Sequence, residues 1–264
     1  MRPTQAPLLR ARRTGRIIPM SAPATEIARN YQAVQQRVAS AAAAVGRDPG
    51  SVRLVVVTKG QPLTVVRAVT AAGASILGEN YADEAMRKIE ALSGGAPVEW
   101  HMVGHVQSRR ADIVARHFDL VHSLDSVRLA TRLDRAADAA ARVQPVLLEF
   151  NVAGESTKSG WLAVDETRWH ELLADVSAIL ALPNLRVCGV MAMPPLGNRP
   201  DDSRPYFRRL MSLRDYLSNE FQPATFFEVS LGTSFDFEVA VEEGATMVRV
   251  GTAIVGPRPA QNGG

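Results

Sequence analysis

Eight short runs rich in Val, Ile and Leu recur along this 264-residue chain, and longer segments of helical period separate them. The runs cover residues 53–58, 74–77, 98–103, 120–123, 145–151, 186–192, 226–230 and 246–250. This alternation constrains the fold more than any other feature, because neighbouring parallel strands need a crossover connection and a helix supplies it. Helices are expected near residues 62–72, 81–92, 108–116, 126–142, 164–182, 201–221 and 234–243. An opening helix is expected over 25–45. Ile27, Tyr31, Val34 and Val38 recur there at three- and four-residue spacing, Thr25 is available as a cap, and Gly46 stops the run. Eight strands interleaved with helices predict an α/β chain folded as a (β/α)8 TIM-type barrel. The alternative is an open doubly wound sheet. Against it, the first strand runs into Thr58-Lys59-Gly60-Gln61-Pro62 and not into the GxGxxG turn of a dinucleotide fold. No glycine-rich linker divides the chain, so residues 23–264 are expected to form one domain.

The net charge of +3 belongs to the amino-terminal end. Residues 1–19 hold Arg2, Arg10, Arg12, Arg13 and Arg16 and no acid, so the remainder carries a charge of −2. A nucleic-acid partner is therefore not expected. Residues 1–22 read as a disordered or mis-assigned tail, with Met20 as an alternative start, or as an Arg-rich transit segment. No window approaches the roughly 18 uninterrupted apolar residues of a membrane span. The one cysteine, Cys188, lies in an apolar run and reads as a buried structural thiol. A cytoplasmic setting is expected.

In a barrel of this type the working site gathers at the carboxyl ends of the strands. Those ends supply Lys59; Glu79 and Asn80; Gly104 and His105; Ser123 and Asp125; Asn151; Met193 and Pro194; residues 230–234; and residues 249–252. Lys59 stands out because the chain has three lysines (Lys59, Lys88, Lys158) against twenty-seven arginines. Burial at a strand end lowers an ammonium pKa and yields a neutral amine able to attack an aldehyde. The blander readings are an ion pair with Glu79 or a side chain that snorkels to the rim. Ser230-Leu231-Gly232-Thr233-Ser234 after the seventh run and Gly251-Thr252 after the eighth are small and hydroxyl-bearing, which suits an anion held by backbone N–H groups. Together with the lysine they suggest a phosphorylated aldehyde cofactor. Arg249, if it points inward, can donate to a pyridine nitrogen and keep it unprotonated, which weakens the ring as an electron sink. His101 and His105 have the spacing of a helical metal pair, but their segment reads as strand and loop, so no metal site is expected. No Gly-x-Ser-x-Gly elbow suggests a hydrolase.

The ordered motifs Leu54-Val55-Val56-Val57-Thr58-Lys59, Gly78-Glu79-Asn80-Tyr81, Trp100-His101-Met102-Val103-Gly104-His105, His122-Ser123-Leu124-Asp125, Ser156-Thr157-Lys158-Ser159-Gly160 and Arg249-Val250-Gly251-Thr252 resemble the YggS/PROSC family of pyridoxal phosphate homeostasis proteins. That family is related to the amino-terminal barrel of alanine racemase, the fold type III architecture of pyridoxal phosphate proteins. The resemblance runs from about Ile27 to Arg258. It implies pyridoxal 5'-phosphate as cofactor and Lys59 as the Schiff-base lysine, with Arg249 beside the pyridine nitrogen. It further implies Ser230, Gly251 and Thr252 as phosphate ligands with Gly232 in the same loop, and Asn80 bordering the cofactor. The family commonly has Ser-Met-Gly-Met-Ser-Asp where this chain has residues 230–235, and Asn-Lys in place of Arg109-Arg110. The implied function is intracellular homeostasis of the cofactor with little or no catalysis. Its implied partners are pyridoxal phosphate, other B6 vitamers and, transiently, apo-enzymes. The alternative is an amino-acid racemase. Alanine racemase draws its opposing tyrosine from a second domain that is not expected after the eighth strand here, leaving Tyr81 and Tyr206 as substitutes. The carrier reading, and a monomer, follow.

Overall fold

The computed structural model describes residues 22–221 and 226–258. The expected tail at 1–22 therefore lies outside the described residues except for Ala22, which opens the first helix. Among the described residues the strands are β1 (Arg53–Val57), β2 (Ile76–Glu79), β3 (Glu99–Met102), β4 (Leu120–Leu124), β5 (Gln144–Asn151), β6 (Trp161–Leu162), β7 (Leu185–Met191), β8 (Glu228–Ser230) and β9 (Met247–Val250). All their pairings are parallel. The order runs β4-β3-β2-β1-β9-β8-β7-β5, and β4 also pairs with β5, so eight strands close on themselves. Closure rules out the open doubly wound sheet and establishes the (β/α)8 barrel. The two-residue β6 was not expected; it adds to β5 outside the ring.

Helices α1 (Ala22–Ala44), α2 (Leu63–Ala71), α3 (Ala82–Leu92), α4 (Ala111–His117), α5 (Val127–Ala139), α6 (Leu173–Leu180), α7 (Arg204–Glu220), α8 (Phe237–Glu242) and α9 (Thr252–Val255) surround or cap it. The α1 stripe Ile27, Tyr31, Val34 and Val38 is buried as its spacing predicts, and α1 packs on α2, α8 and α9. Several boundaries differ from expectation. Helix α1 starts at Ala22 and β8 at Glu228, and the helix expected over 108–116 divides into a 3-10 turn (Ser108–Arg110) and α4. The second strand begins at Ile76 and not Ala74, because the Ala74 N–H closes the end of α2 on the Val69 carbonyl and Gly73 turns the chain at φ 106°. The helix expected over 164–182 divides into a 3-10 stretch, Glu166–Leu172, and α6.

Alternation along the strands separates two cores. Val56, Leu77, Val146, Leu148 and Val248 join the helices in a large apolar mantle. Val55, Val103, Leu120, Leu147, Cys188, Met191 and Met247 form a smaller apolar cluster of their own. Cys188 is buried, and burial pushes its thiol pKa up, as a structural thiol requires. Buried beside these apolar residues are His101, His122, Glu149, Ser230 and Arg249, a polar set within the strands that a purely structural barrel would not need.

Candidate functional site

Thr58, which follows β1, is fully buried and held at every polar atom. Its N–H donates to the Gly78 carbonyl (3.0 Å), its hydroxyl donates to Glu79 Oε1 (2.5 Å), and its carbonyl accepts from Lys88 Nζ (2.7 Å). The next residue, Lys59, leaves this clamp half-buried and lines a cleft of about 350 Å³ at the carboxyl ends of the strands. Burial lowers its pKa, and the nearby cations Arg258 and Arg249 lower it further against an opposing pull from Glu79. The blander reading, an ion pair between Lys59 and Glu79, is not what forms. Glu79 Oε1 takes Lys88 Nζ at 2.7 Å, and Lys88 also meets Glu84 Oε1 at 2.6 Å one helical turn away. Glu79 is buried enough that desolvation raises its pKa in spite of Lys88. Sequence reasoning missed Lys88. The available signal was its i, i+4 spacing from Glu84 in a chain that otherwise uses arginine.

Arg249 points inward. It is 5% exposed, donates through Nη2 to the Ala192 carbonyl (3.1 Å) and through Nη1 to Ser230 Oγ, and it lines the cleft. Burial lowers its pKa to about 10, with Glu149 and Asp236 opposing, so it remains a cation at neutral pH. Ser230 lies behind it. Its hydroxyl is fully buried between Arg249 and His122 Nδ1 (2.8 Å), and it does not line the cleft. Gly232 also sits back from the cleft, at φ 79°, where an added Cβ would lie 2.7 Å from the Ala240 Cβ and 2.8 Å from the Phe237 Cα. It fixes the loop against α8, and its carbonyl accepts the Arg249 N–H (3.1 Å).

The loop that follows brings Ser234 forward. Ser234 Oγ accepts from the N–H groups of Gly251 (3.1 Å) and Ala253 (3.3 Å), and Ser234, Gly251 and Thr252 all line the cleft. Thr233 is fastened by Asp236, which takes its N–H at 2.7 Å and its hydroxyl at 2.9 Å. Ser234 was inside the expected loop but not singled out in it; α9, which sets the Ala253 N–H beside it, was not expected at all. Asn80 forms part of the opposite wall. Gly104 packs so closely on it that a Cβ would come 2.6 Å from the Asn80 Cα, and the Asn80 Oδ1 is buried with no hydrogen-bond partner among the described residues. Lys158, Met193, Pro194 and Phe235 complete the lining together with Val57, Val103 and Leu196.

Other strand-end residues serve the frame. Ser123 donates to the Gly104 carbonyl (2.5 Å), and Asn151 ties the following turn through Glu155 and Gly154. His101 faces Glu99 and His122 while His105 meets Asp125 at 3.0 Å, so the two histidines with metal-like spacing turn to different partners. Glu149 has its pKa raised to about 7, by burial first and by Asp125 second, with Arg249 and Lys158 pulling the other way. Tyr81 is exposed and lines an adjoining cavity of about 420 Å³, and Tyr206 packs against the mantle; neither faces the cleft of Lys59.

Residues 25–259 match the family profile of the alanine racemase N-terminal domain. The pyridoxal phosphate homeostasis protein of Aquifex aeolicus is 40% identical over 225 residues, covering 85% of this chain and 95% of its own. That of Pseudomonas aeruginosa is 39% identical over 232 residues, covering 88% and 96%. PipY of Synechococcus elongatus, whose structure was solved with pyridoxal phosphate bound, superposes with a TM-score of 0.76 at 31% identity over 87% of this chain and 100% of PipY. At these identities and coverages the chain belongs to the alanine racemase N-terminal-domain family and, within it, to the pyridoxal phosphate homeostasis proteins.

Proposed function

We propose that this protein binds pyridoxal 5'-phosphate as a Schiff base on Lys59, keeps its reactive aldehyde sequestered in the cell and releases it to apo-enzymes, with little or no catalysis of its own. The observation that carries the reading is the meeting, in one cleft, of a half-buried lysine of lowered pKa with an arginine anchored on the floor. The residues fit the cofactor. A neutral amine at Lys59 suits an aldehyde, and the N–H groups of Gly251 and Ala253, now satisfied by a serine hydroxyl, suit a phosphate. The orphaned Asn80 Oδ1 suits a ring substituent that donates a hydrogen bond. When bound, the cofactor supplies an aldehyde that condenses with amines and a ring that draws electrons from the adduct. Arg249, donor-only and cationic, holds an unprotonated ring nitrogen and so weakens that withdrawal.

Relatives named as pyridoxal phosphate homeostasis proteins, and PipY solved with pyridoxal phosphate bound, support the cofactor and homeostasis parts of the reading. Further parts of it are that residues 23–264 act as a single domain, as a cytoplasmic monomer, with Gly232, Gly251 and Thr252 shaping the phosphate end, Ser230 acting behind Arg249 instead, and other B6 vitamers as ligands. The racemase alternative needs a second base facing Lys59 across the cofactor. No tyrosine lines the cleft among the described residues. The test mixes the loaded protein with the apo-form of a pyridoxal phosphate enzyme in the presence of a scavenger of free cofactor. Recovery of enzyme activity despite the scavenger supports delivery, while racemisation of free amino acids at enzymic rates would overturn the carrier reading.

A further inference from the structure

A single file of hydrogen bonds crosses the barrel interior. Glu99 Oε1 meets His101 Nε2 at 2.7 Å, His101 Nδ1 meets His122 Nε2 at 2.9 Å, and His122 Nδ1 meets Ser230 Oγ at 2.8 Å. Ser230 Oγ then accepts from Arg249. His101, His122 and Ser230 are fully buried and Arg249 nearly so, whereas the Glu99 side chain is 40% exposed. Glu99 opens β3 at the amino-terminal mouth of the barrel, beside Arg53 (3.5 Å), at the end opposite the cleft. Four strands, β3, β4, β8 and β9, each contribute to the file. Burying two imidazoles and a hydroxyl here is costly unless every polar atom is matched, and every one is.

With both imidazoles neutral, each ring donates once and accepts once, and the chemistry of the two ends then fixes the direction of every bond between them. A guanidinium only donates and a carboxylate only accepts. Glu99 is held below its ordinary pKa, chiefly by its bond to His101, and is a carboxylate at neutral pH. His101 therefore donates through Nε2 and must accept at Nδ1. His122 then donates through Nε2 and accepts at Nδ1, so the Ser230 hydroxyl donates to His122 and turns its lone pair to Arg249. Burial, with the cations Arg249 and Arg53 adding to it, holds the His122 pKa far below the usual histidine value, consistent with a neutral ring.

We infer that Glu99, His101, His122 and Ser230 are positioning residues: their unidirectional hydrogen-bond chain orients the Ser230 lone pair and so fixes the Arg249 guanidinium toward the pyridine ring. This role rests on the cofactor reading above. It gives the interior polar set a purpose and places the Ser230 hydroxyl on the ring side of the cofactor.

Two measurements on the full chain test it. Long-range nitrogen–proton correlation spectra of ring-labelled histidine, assigned with His101→Gln and His122→Gln, are expected to find both interior rings neutral with the proton on Nε2 at neutral pH. Either ring protonated at Nδ1 overturns the stated direction. Equilibrium binding of pyridoxal phosphate and the absorption spectrum of the loaded protein are then compared for wild type, Ser230→Ala and Ser230→Thr. Loss of one hydrogen bond to a charged group predicts about a tenfold weaker affinity and a displaced absorption band for Ser230→Ala, with Ser230→Thr restoring both. Unchanged affinity and spectrum in Ser230→Ala overturn the positioning role alone. A wild type that takes up no cofactor overturns the cofactor reading and the role with it, whatever tautomers the histidines show.

Discussion

Replacing Glu149 by Gln should make stability less dependent on pH, and the size of the effect follows from burial. Glu149 is 8% exposed on β5, and its pKa rises from the ordinary 4.5 to about 7. Arg249 and Lys158 favour its charge, but desolvation and the Asp125 carboxylate outweigh them. Below pH 4.5 the group is protonated in both folded and unfolded chains and has no effect on the balance. Between 4.5 and 7 the folded chain keeps the proton that the unfolded chain releases, so stability falls as pH rises, and above 7 the loss is complete. The full shift corresponds to about 3 kcal/mol, of which about 1 kcal/mol is already lost at pH 5. Glutamine keeps the shape and has no charge to desolvate. Urea unfolding of both proteins at about pH 5 and about pH 8 should therefore find Glu149→Gln gaining roughly 2 to 3 kcal/mol on wild type between the two conditions. A stability gap that stays constant across that range would refute the argument, because it would mean that the buried carboxyl does not titrate there.

Three further outcomes follow from particular contacts. Lys88→Met strands the buried Glu79 carboxylate and releases the Thr58 carbonyl, so it should cost about 3 to 5 kcal/mol by thermal unfolding, and adding Glu79→Leu should recover most of the loss. Gly232→Ala forces a side chain into a left-handed conformation against Ala240 and Phe237, and should cost at least about 2 kcal/mol by urea unfolding. Once a phosphate takes the Gly251 and Ala253 N–H groups, the displaced Ser234 hydroxyl is free to donate to it, so Ser234→Ala should weaken pyridoxal phosphate binding about tenfold while leaving unphosphorylated pyridoxal unaffected, as read by equilibrium titration of both ligands.

The barrel was legible in the sequence because its signal is repeated. Each of the eight apolar runs seeded one strand, and an error such as Ala74 for Ile76 moved a boundary without moving the fold. Lys59 and Arg249 were legible for chemical reasons, as a rare lysine and a charge within an apolar strand. What stayed hidden depends on which way a side chain turns. Ser230 ends β8 and Ser234 lies four residues on in the small-residue loop that follows, yet one hydroxyl faces His122 inside the barrel and the other the N–H groups at the head of α9. Lys158 reaches the cleft from the loop after β5, far in sequence from Lys59, and no local pattern reports that approach. The pairing of His101 with His122 joins two strands through their inward faces. His105, four residues on from His101 but beyond the end of β3, meets Asp125 instead.

The central claim is that Lys59 carries the cofactor, and absorption spectra of wild type and Lys59→Ala, loaded with pyridoxal phosphate and then treated with borohydride, test it most directly. Wild type is expected to show a visible band that borohydride abolishes, with the trapped adduct located on Lys59 by peptide mass spectrometry, and Lys59→Ala no such adduct. A trapped adduct on another lysine in wild type, or the same band and adduct in Lys59→Ala, would contradict the claim.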